Sequence, residues 1–237
     1  MKNAIVLGAS GETGKAIIDL LLKLEYNLIG TYYSKEPQEI KGVEFFHLDM
    51  SSISSINNLL NVLKTKENID LLVNTISKKP TFNRLEKISF EDYKQEMDVN
   101  CLNFIYLIQK LLGGLINQDK SSKFNKNSNI INILTEFVIG PVKYVSPYIT
   151  SKYAMLGFMQ TLSAELKDKE IYVNSISPGM METKFLSNLP SFVKAKYLAN
   201  HDGFTKPSEV VEVIKKIIQV PQTGKNIGVF NKKNVRN

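Results

Sequence analysis

The stretch LGASGETGKAI, residues 7–17, sets glycine at 8, 11 and 14 between a short apolar run and a longer amphipathic one. A turn from a buried strand into a helix needs glycine at these points. One glycine makes the tight turn, one lets a pyrophosphate approach the backbone, and one lets the helix pack closely on the strand. A glycine triplet alone is weak evidence. At the first strand-helix junction of a chain that alternates the two elements, it points to a dinucleotide site rather than a merely structural turn.

That alternation runs along the whole chain. NAIVLG (3–8), YNLIGTYY, GVEFFHLD, DLLVNT, NIINILT and IYVNSISPG read as strands, each separated from the next by helix-like sequence such as TGKAIIDLLLKL (13–24). Runs rich in Ile, Val and Leu without alternating polarity imply strands covered on both faces, hence a parallel sheet. The right-handed crossover rule then predicts an α/β fold with a Rossmann-like doubly wound sheet of about seven strands. PSEVVEVIKKIIQ (207–219) opens with Pro207 and Ser208 as a last helix, and NIGVF closes the sheet. A length of 237 residues suits one such domain and leaves too little chain for a second. Two segments break the rhythm: the lysine-rich 117–129, read as an exposed loop, and 183–204, whose mixed aromatics and lysines suit a lid over a pocket.

Composition narrows the function classes. No apolar run reaches the roughly 18 residues that span a bilayer, and the N-terminus lacks the pattern of a secretory signal. Cys101 is the only cysteine, so no intrachain disulfide forms and a cytoplasmic setting is expected. The net charge of +7 invites a nucleic-acid reading, but only Arg84 and Arg236 among the 30 basic residues are arginines and the lysines are dispersed. Nucleic acid is therefore not the expected partner. His47 and His201 lack ligand spacing, so no metal is expected.

The second strand ends GTYYSKEP, with Tyr33, Ser34 and Lys35 and no carboxylate before Glu36. An acidic residue there would bond a ribose 2′-hydroxyl and repel a 2′-phosphate, so a hydroxyl and a cation favour NADP(H) over NAD(H), unless Lys35 is one more solvated lysine. Farther on, Tyr148 stands four residues before Lys152, so a helix sets both on one face. A free tyrosine ionises near pH 10, too high for efficient exchange at neutrality. A nearby ammonium and an oxidised nicotinamide would lower that value and make Tyr148 a general acid for a carbonyl.

Taken in order, these motifs resemble the short-chain dehydrogenase/reductase family over nearly the whole chain. The match comprises the glycine loop, LDMS with Asp49 and Met50, DLLVN with Asn74, MDVN with Asn100, NILT with Thr135, the Tyr148/Lys152 pair, and SISPGMMET with Pro178, Gly179, Met181 and Thr183. The resemblance implies a catalytic set of Asn100, Thr135, Tyr148 and Lys152. It also implies cofactor contacts from Gly8, Ser10, Gly11, Thr13, Gly14, Asp49, Met50, Asn74, Pro178, Gly179, Met181 and Thr183. Lys152 would additionally hold the nicotinamide ribose. From the residues alone, Asp49 can be a turn or cap residue and Asn74 a buried tie between strands.

The family look is nearest to β-ketoacyl carrier-protein reductases, which implies a small or carrier-bound carbonyl substrate, docking through Lys120, Lys123, Lys126 and Lys169, and a homodimer or homotetramer built on helices near 89–116 and 147–168. Rival readings are a sugar or other small ketone as substrate, or a dinucleotide sensor without turnover. The chain departs from the family in its glycine spacing and in NTIS, where Ile76 and Ser77 replace small residues beside the cofactor. It also lacks the usual ending after GVF.

Overall fold

The computed structural model describes residues 1–113, 122–140, 142–181, 183–184, 189 and 191–231. In its first strand, β1 (Lys2–Leu7), Ala4 to Leu7 are all buried, and a strand apolar on both faces must be covered twice. Ala4 and Val6 enter one core with Ile17, Ile18 and Leu21 of α1 (Glu12–Lys23) and Val210, Ile214 and Ile217 of α7 (Pro207–Gln219). Ile5 and Leu7 enter the other, with Leu59 of α2 (Ile53–Lys64), Phe104 and Leu107 of α4 (Asn103–Leu112), and Met155 and Met159 of α5 (Ser146–Leu166). The period-2 alternation of a strand thus distributes one apolar run between two helical layers.

The sheet is completed by β2 (Tyr26–Tyr32), β3 (Val43–His47), β4 (Ile69–Asn74), β5 (Phe124–Ile133), β6 (Tyr172–Pro178) and β7 (Asn226–Val229). All pairings are parallel in the order β3-β2-β1-β4-β5-β6-β7. The winding direction reverses between β1 and β4, so the connections leaving their carboxyl ends diverge and open a crevice there. The expected doubly wound sheet is therefore the one found, with seven strands among the described residues. No helix among them is long and apolar enough to cross a membrane.

Three local expectations differ. Residues 33–42 join β2 to β3 without a helix, Pro37 and the positive φ of Gly42 (87°) suiting an irregular connection instead. The expected loop at 117–129 is strand from Phe124 onward, while 117–121 lie outside the described residues. Its lysine content hid two anchors: Phe124, which is 5% exposed and pairs with Ile69, and Lys123, whose Nζ donates to the carbonyls of Lys64 and Lys66. Finally, the helix expected near 89–116 is α3 (Phe90–Met97) followed by a π-helical turn over Asp98–Leu102 and then α4.

Candidate active site

A cleft of about 1740 Å³ lies at the carboxyl ends of the strands. One end is the glycine loop. Gly8 takes φ 82°, a conformation that glycine adopts without a Cβ clash, and its N–H donates to Thr31 Oγ1 at 3.0 Å. Gly11 is the N-cap of α1, and no side chain caps that helix start. At Gly14 a Cβ would come within 2.2 Å of the Gly8 carbonyl oxygen, so this glycine is where α1 presses on the turn. An open helix N-terminus beside backbone free of side chains fits the pyrophosphate of a dinucleotide. Across the cleft, Thr13 Oγ1 reaches Met181 Sδ at 3.8 Å, and the Lys184 N–H donates to Glu12 Oε2 at 2.9 Å, tying the segment after β6 to the glycine loop.

The inner end carries Tyr148 and Lys152, one turn apart on α5. Both are buried, and Lys152 Nζ sits 5.5 Å from the centre of the Tyr148 ring. Lys152 Nζ also donates to the Ile133 carbonyl at 3.4 Å. The hydroxyls of Thr135 and Ser77 are hydrogen-bonding neighbours of the Tyr148 phenol and favour its anion, yet burial outweighs them and holds the phenol above its ordinary range. In the chain by itself, therefore, the Tyr148 phenol is raised, and the lowering expected from the sequence depends on the oxidised nicotinamide as well as the ammonium. The ammonium that was to lower it is itself disfavoured: burial pushes Lys152 down to about 8, against a smaller opposing pull from Glu96.

Burial of Lys152 has a consequence for stability. Its folded pKa, about 8, lies below the 10.5 of the free side chain. The unfolded chain therefore binds more protons between those values, and folding stability rises with pH across that window, by about 3 kcal/mol if Lys152 acts alone. Below pH 8 the full penalty of a buried ammonium is present. Lys152→Met is thus expected to melt higher than the parent at pH 7, with the gap closing towards pH 10 and turnover lost throughout. Melting curves across that range check it, and a gap independent of pH would contradict it.

Asn100 lies in the π-helical turn, a feature frequent at functional sites. Its Oδ1 accepts from the Lys78 N–H at 2.7 Å and from Ser77 Oγ at 3.3 Å, while its Nδ2 donates to Ser151 Oγ at 2.9 Å. Asn100 thereby ties the loop after β4 to the α5 turn that carries Lys152. It stands behind the cleft rather than in its lining. Asn74 is buried, donating to Asn132 Oδ1 at 2.7 Å and accepting from the Ile76 N–H at 3.1 Å, so the reading as a tie between strands describes it. Asp49 lines the cleft and also closes a turn, accepting from the N–H and Oγ of Ser51 at 2.8 and 2.6 Å.

Of the other expected cofactor residues, Gly8, Ser10, Gly11, Thr13, Gly14, Tyr33, Met50, Pro178, Gly179, Met181 and Thr183 line the cleft. Ser34 and Lys35 are exposed beyond it. The Tyr32 phenol is raised by burial and then by the nearby Glu36 carboxylate, so a carboxylate does stand near the end of β2, though outside the lining. The proposed carrier lysines sit elsewhere. Lys123 and Lys169 precede β5 and β6 and Lys126 lies early in β5, at the end of the sheet away from the cleft. Lys123 is engaged as described, Lys126 pairs with Glu170 at 3.1 Å, and Lys120 is outside the described residues.

Sequence reasoning missed three contributors. Ser77 was an obstacle in NTIS, whereas its hydroxyl adjoins Tyr148. Glu96 is fully buried, receives the Thr81 N–H on Oε1 at 2.9 Å and has its carboxyl raised chiefly by burial. Glu136 pairs with His201 across the cleft wall at 2.9 Å. Only Ser77, adjacent in sequence to a motif, left a signal that could have been read.

A family model described as short chain dehydrogenase matches residues 2–194. A 3-oxoacyl-acyl-carrier-protein reductase of Buchnera aphidicola is 28% identical over 222 residues, covering 90% of this chain and 88% of that protein. Among solved structures, a 4-hydroxyisoleucine dehydrogenase complexed with NADH superposes with TM-score 0.83 at 21% identity, covering 100% of both chains. ElxO with NADP bound gives TM-score 0.80 at 19% identity, covering 96% of each.

Proposed function

Because the chain belongs to the short chain dehydrogenase family, an NAD(P)-dependent group of oxidoreductases, we propose that it transfers hydride between NADP(H) and a carbonyl or secondary alcohol, with a 3-oxoacyl thioester as substrate. The observation that carries this reading is the convergence of the Tyr148 phenol, the Thr135 and Ser77 hydroxyls and the Lys152 ammonium at one end of the cleft. The nicotinamide supplies or accepts the hydride. Everything else falls to the chain's own groups. Thr135 donates to the carbonyl oxygen and fixes its position. Tyr148 gives that oxygen a proton as it becomes an alkoxide, and takes it back in the reverse direction. Lys152 lends positive charge to the developing phenolate, and Asn100 holds the lysine's turn against the loop of Ser77.

The 3-oxoacyl choice is supported by the carrier-protein reductase from Buchnera aphidicola. A carrier entering the cleft would meet Lys79, Lys143 and Lys196, which are exposed and line it, rather than Lys123, Lys126 or Lys169 at the other end of the sheet. The NADP(H) choice is supported by Tyr33 in the lining and Lys35 just beyond it, with Glu36 outside the lining. NADPH at saturation is expected to raise the melting temperature more than NADH does, and Lys35→Glu to reverse the order by repelling the 2′-phosphate. An unchanged preference in Lys35→Glu would remove that lysine from the cofactor site. Oxidation of NADPH on a 3-oxoacyl thioester, run beside a ketose sugar, tests the substrate class.

A further inference from the structure

Glu136 directly follows Thr135 and is only 5% exposed, although it belongs to the wall of the cleft. A carboxylate so far from water needs a strong partner. Its Oε2 lies 2.9 Å from Nε2 of His201, a residue 65 positions later that is 8% exposed and stands immediately after α6 (Ser191–Asn200). Among the described residues Oε1 has no hydrogen-bond partner, although the Tyr197 hydroxyl shares its surroundings.

The imidazole is fixed on both sides. Its Nδ1 is 3.0 Å from the Tyr197 carbonyl oxygen and its Nε2 is 2.9 Å from Glu136 Oε2, so each ring nitrogen has one polar partner and the tautomer sets which of them donates. The ring also stacks on Tyr197 at 3.9 Å and 7°. Tyr197 is itself anchored, because its hydroxyl accepts from the Met180 N–H at 3.0 Å. Gly179 makes room for that hydroxyl: a Cβ there would come within 2.4 Å of it. So α6 is pinned at two points, to the turn that ends β5 through Glu136 and to the segment that ends β6 through Tyr197.

We infer that Glu136 and His201 form a latch clamping α6, which lines the cleft through Phe192, Val193, Lys196 and Tyr197, onto the turn that presents the Thr135 hydroxyl. Glu136 is a positioning residue in this arrangement, since it acts through Thr135 and α6 and not on the reacting atoms. The activity part of its test rests on the hydride-transfer reading above; the structural part does not. A pair that only filled space would lower stability without altering how α6 opens or how substrate binds. A latch makes both depend on the same bond.

The experiment compares Glu136→Ala, His201→Ala, the double variant and Glu136→Gln by amide hydrogen exchange over residues 191–200 and by steady-state kinetics. Each Ala variant is expected to speed exchange of α6 about tenfold and raise KM for the carbonyl substrate about tenfold, leaving NADPH binding within about twofold. The double variant should match Glu136→Ala, because both lack the same bond, and His201→Ala, which leaves the buried carboxyl unpaired, should be affected at least as much. Glu136→Gln keeps the side-chain length and carries both a donor and an acceptor, so it can pair with Nε2 in either tautomer and should restore both readouts. Exchange of α6 unchanged in Glu136→Ala and His201→Ala, or effects that multiply in the double variant, overturns the latch. If the parent protein reduces no carbonyl at all, the hydride-transfer reading fails while the exchange result still decides the latch.

Discussion

Tyr148→Phe is expected to lower kcat for carbonyl reduction by about a thousandfold while leaving the melting temperature and NADPH binding close to those of the parent. The phenol oxygen is the one atom removed, and its hydrogen-bonding neighbours, the hydroxyls of Thr135 and Ser77, remain to pair with substrate or water. The ring itself stays packed at 8% exposure, with Lys152 Nζ over its face. Burial favours the protonated Tyr148 phenol, so under the proposed function the free enzyme holds the proton that the carbonyl would receive. The burden of making the phenolate accessible then falls on charge near the ring. Lys152 at about 8 loses that charge as pH rises, so reduction should decline above about pH 8 in kcat/KM. Stopped assays of kcat and kcat/KM across pH 6–10, with Tyr148→Phe alongside, check both statements. A variant retaining a tenth of the parent's kcat would remove Tyr148 from the proton-transfer role.

Gly14→Ala is expected to destabilise the fold by about 3 kcal/mol or more, which for a chain of this size is a fall in melting temperature of about 10 °C. The added carbon would stand 2.2 Å from the Gly8 carbonyl oxygen and 2.7 Å from Ala9 Cα, both backbone atoms that cannot swing aside. Relief requires α1 to move off the turn, which spoils the same helix start that would receive the pyrophosphate. Gly11→Ala is the informative contrast. There the nearest atom to a new Cβ is 3.4 Å away and φ is an ordinary −73°, so the fold should survive while cofactor affinity drops. Thermal melts with and without NADPH separate the two: Gly14→Ala loses stability in both conditions, Gly11→Ala mainly in the increment that NADPH adds.

The glycine triplet was legible because its demand is local, a turn, an approach and a helix contact within seven residues. The last helix, Pro207–Gln219, was legible to the residue for the same reason, since proline marks its first turn and its apolar positions repeat at helical spacing. Tyr148 and Lys152 were legible as a pair because helical geometry alone sets them on one face. What surrounds them was not. Whether a phenol is raised or lowered depends on burial weighed against the hydroxyls of Thr135 and Ser77 and the carboxyl of Glu96, which come from separate parts of the chain, and no spacing in the sequence encodes that balance. Glu136 and His201 were invisible for a related reason: they meet across 65 residues, and His201 had been weighed only as a metal ligand. The start of β5 was hidden by composition. Lysine and asparagine around Phe124 look like a loop until Lys123 Nζ is seen donating to the carbonyls of Lys64 and Lys66, at and just beyond the end of α2, and Ser128 Oγ donating to the Ile69 carbonyl. Ser77 shows the reverse error, a departure from a family pattern that supplies a hydroxyl beside Tyr148 in the cleft.

The most direct measurement is to supply NADPH carrying deuterium at the transferable position of the nicotinamide, together with a short 3-oxoacyl thioester, and to analyse the product by mass spectrometry. Hydride transfer in the cleft predicts that NADPH is consumed and that one deuterium appears on the new carbinol carbon in each product molecule. NADPH that raises the melting temperature yet yields no deuterated alcohol from this thioester or from a panel of other ketones, aldehydes and sugars would contradict it.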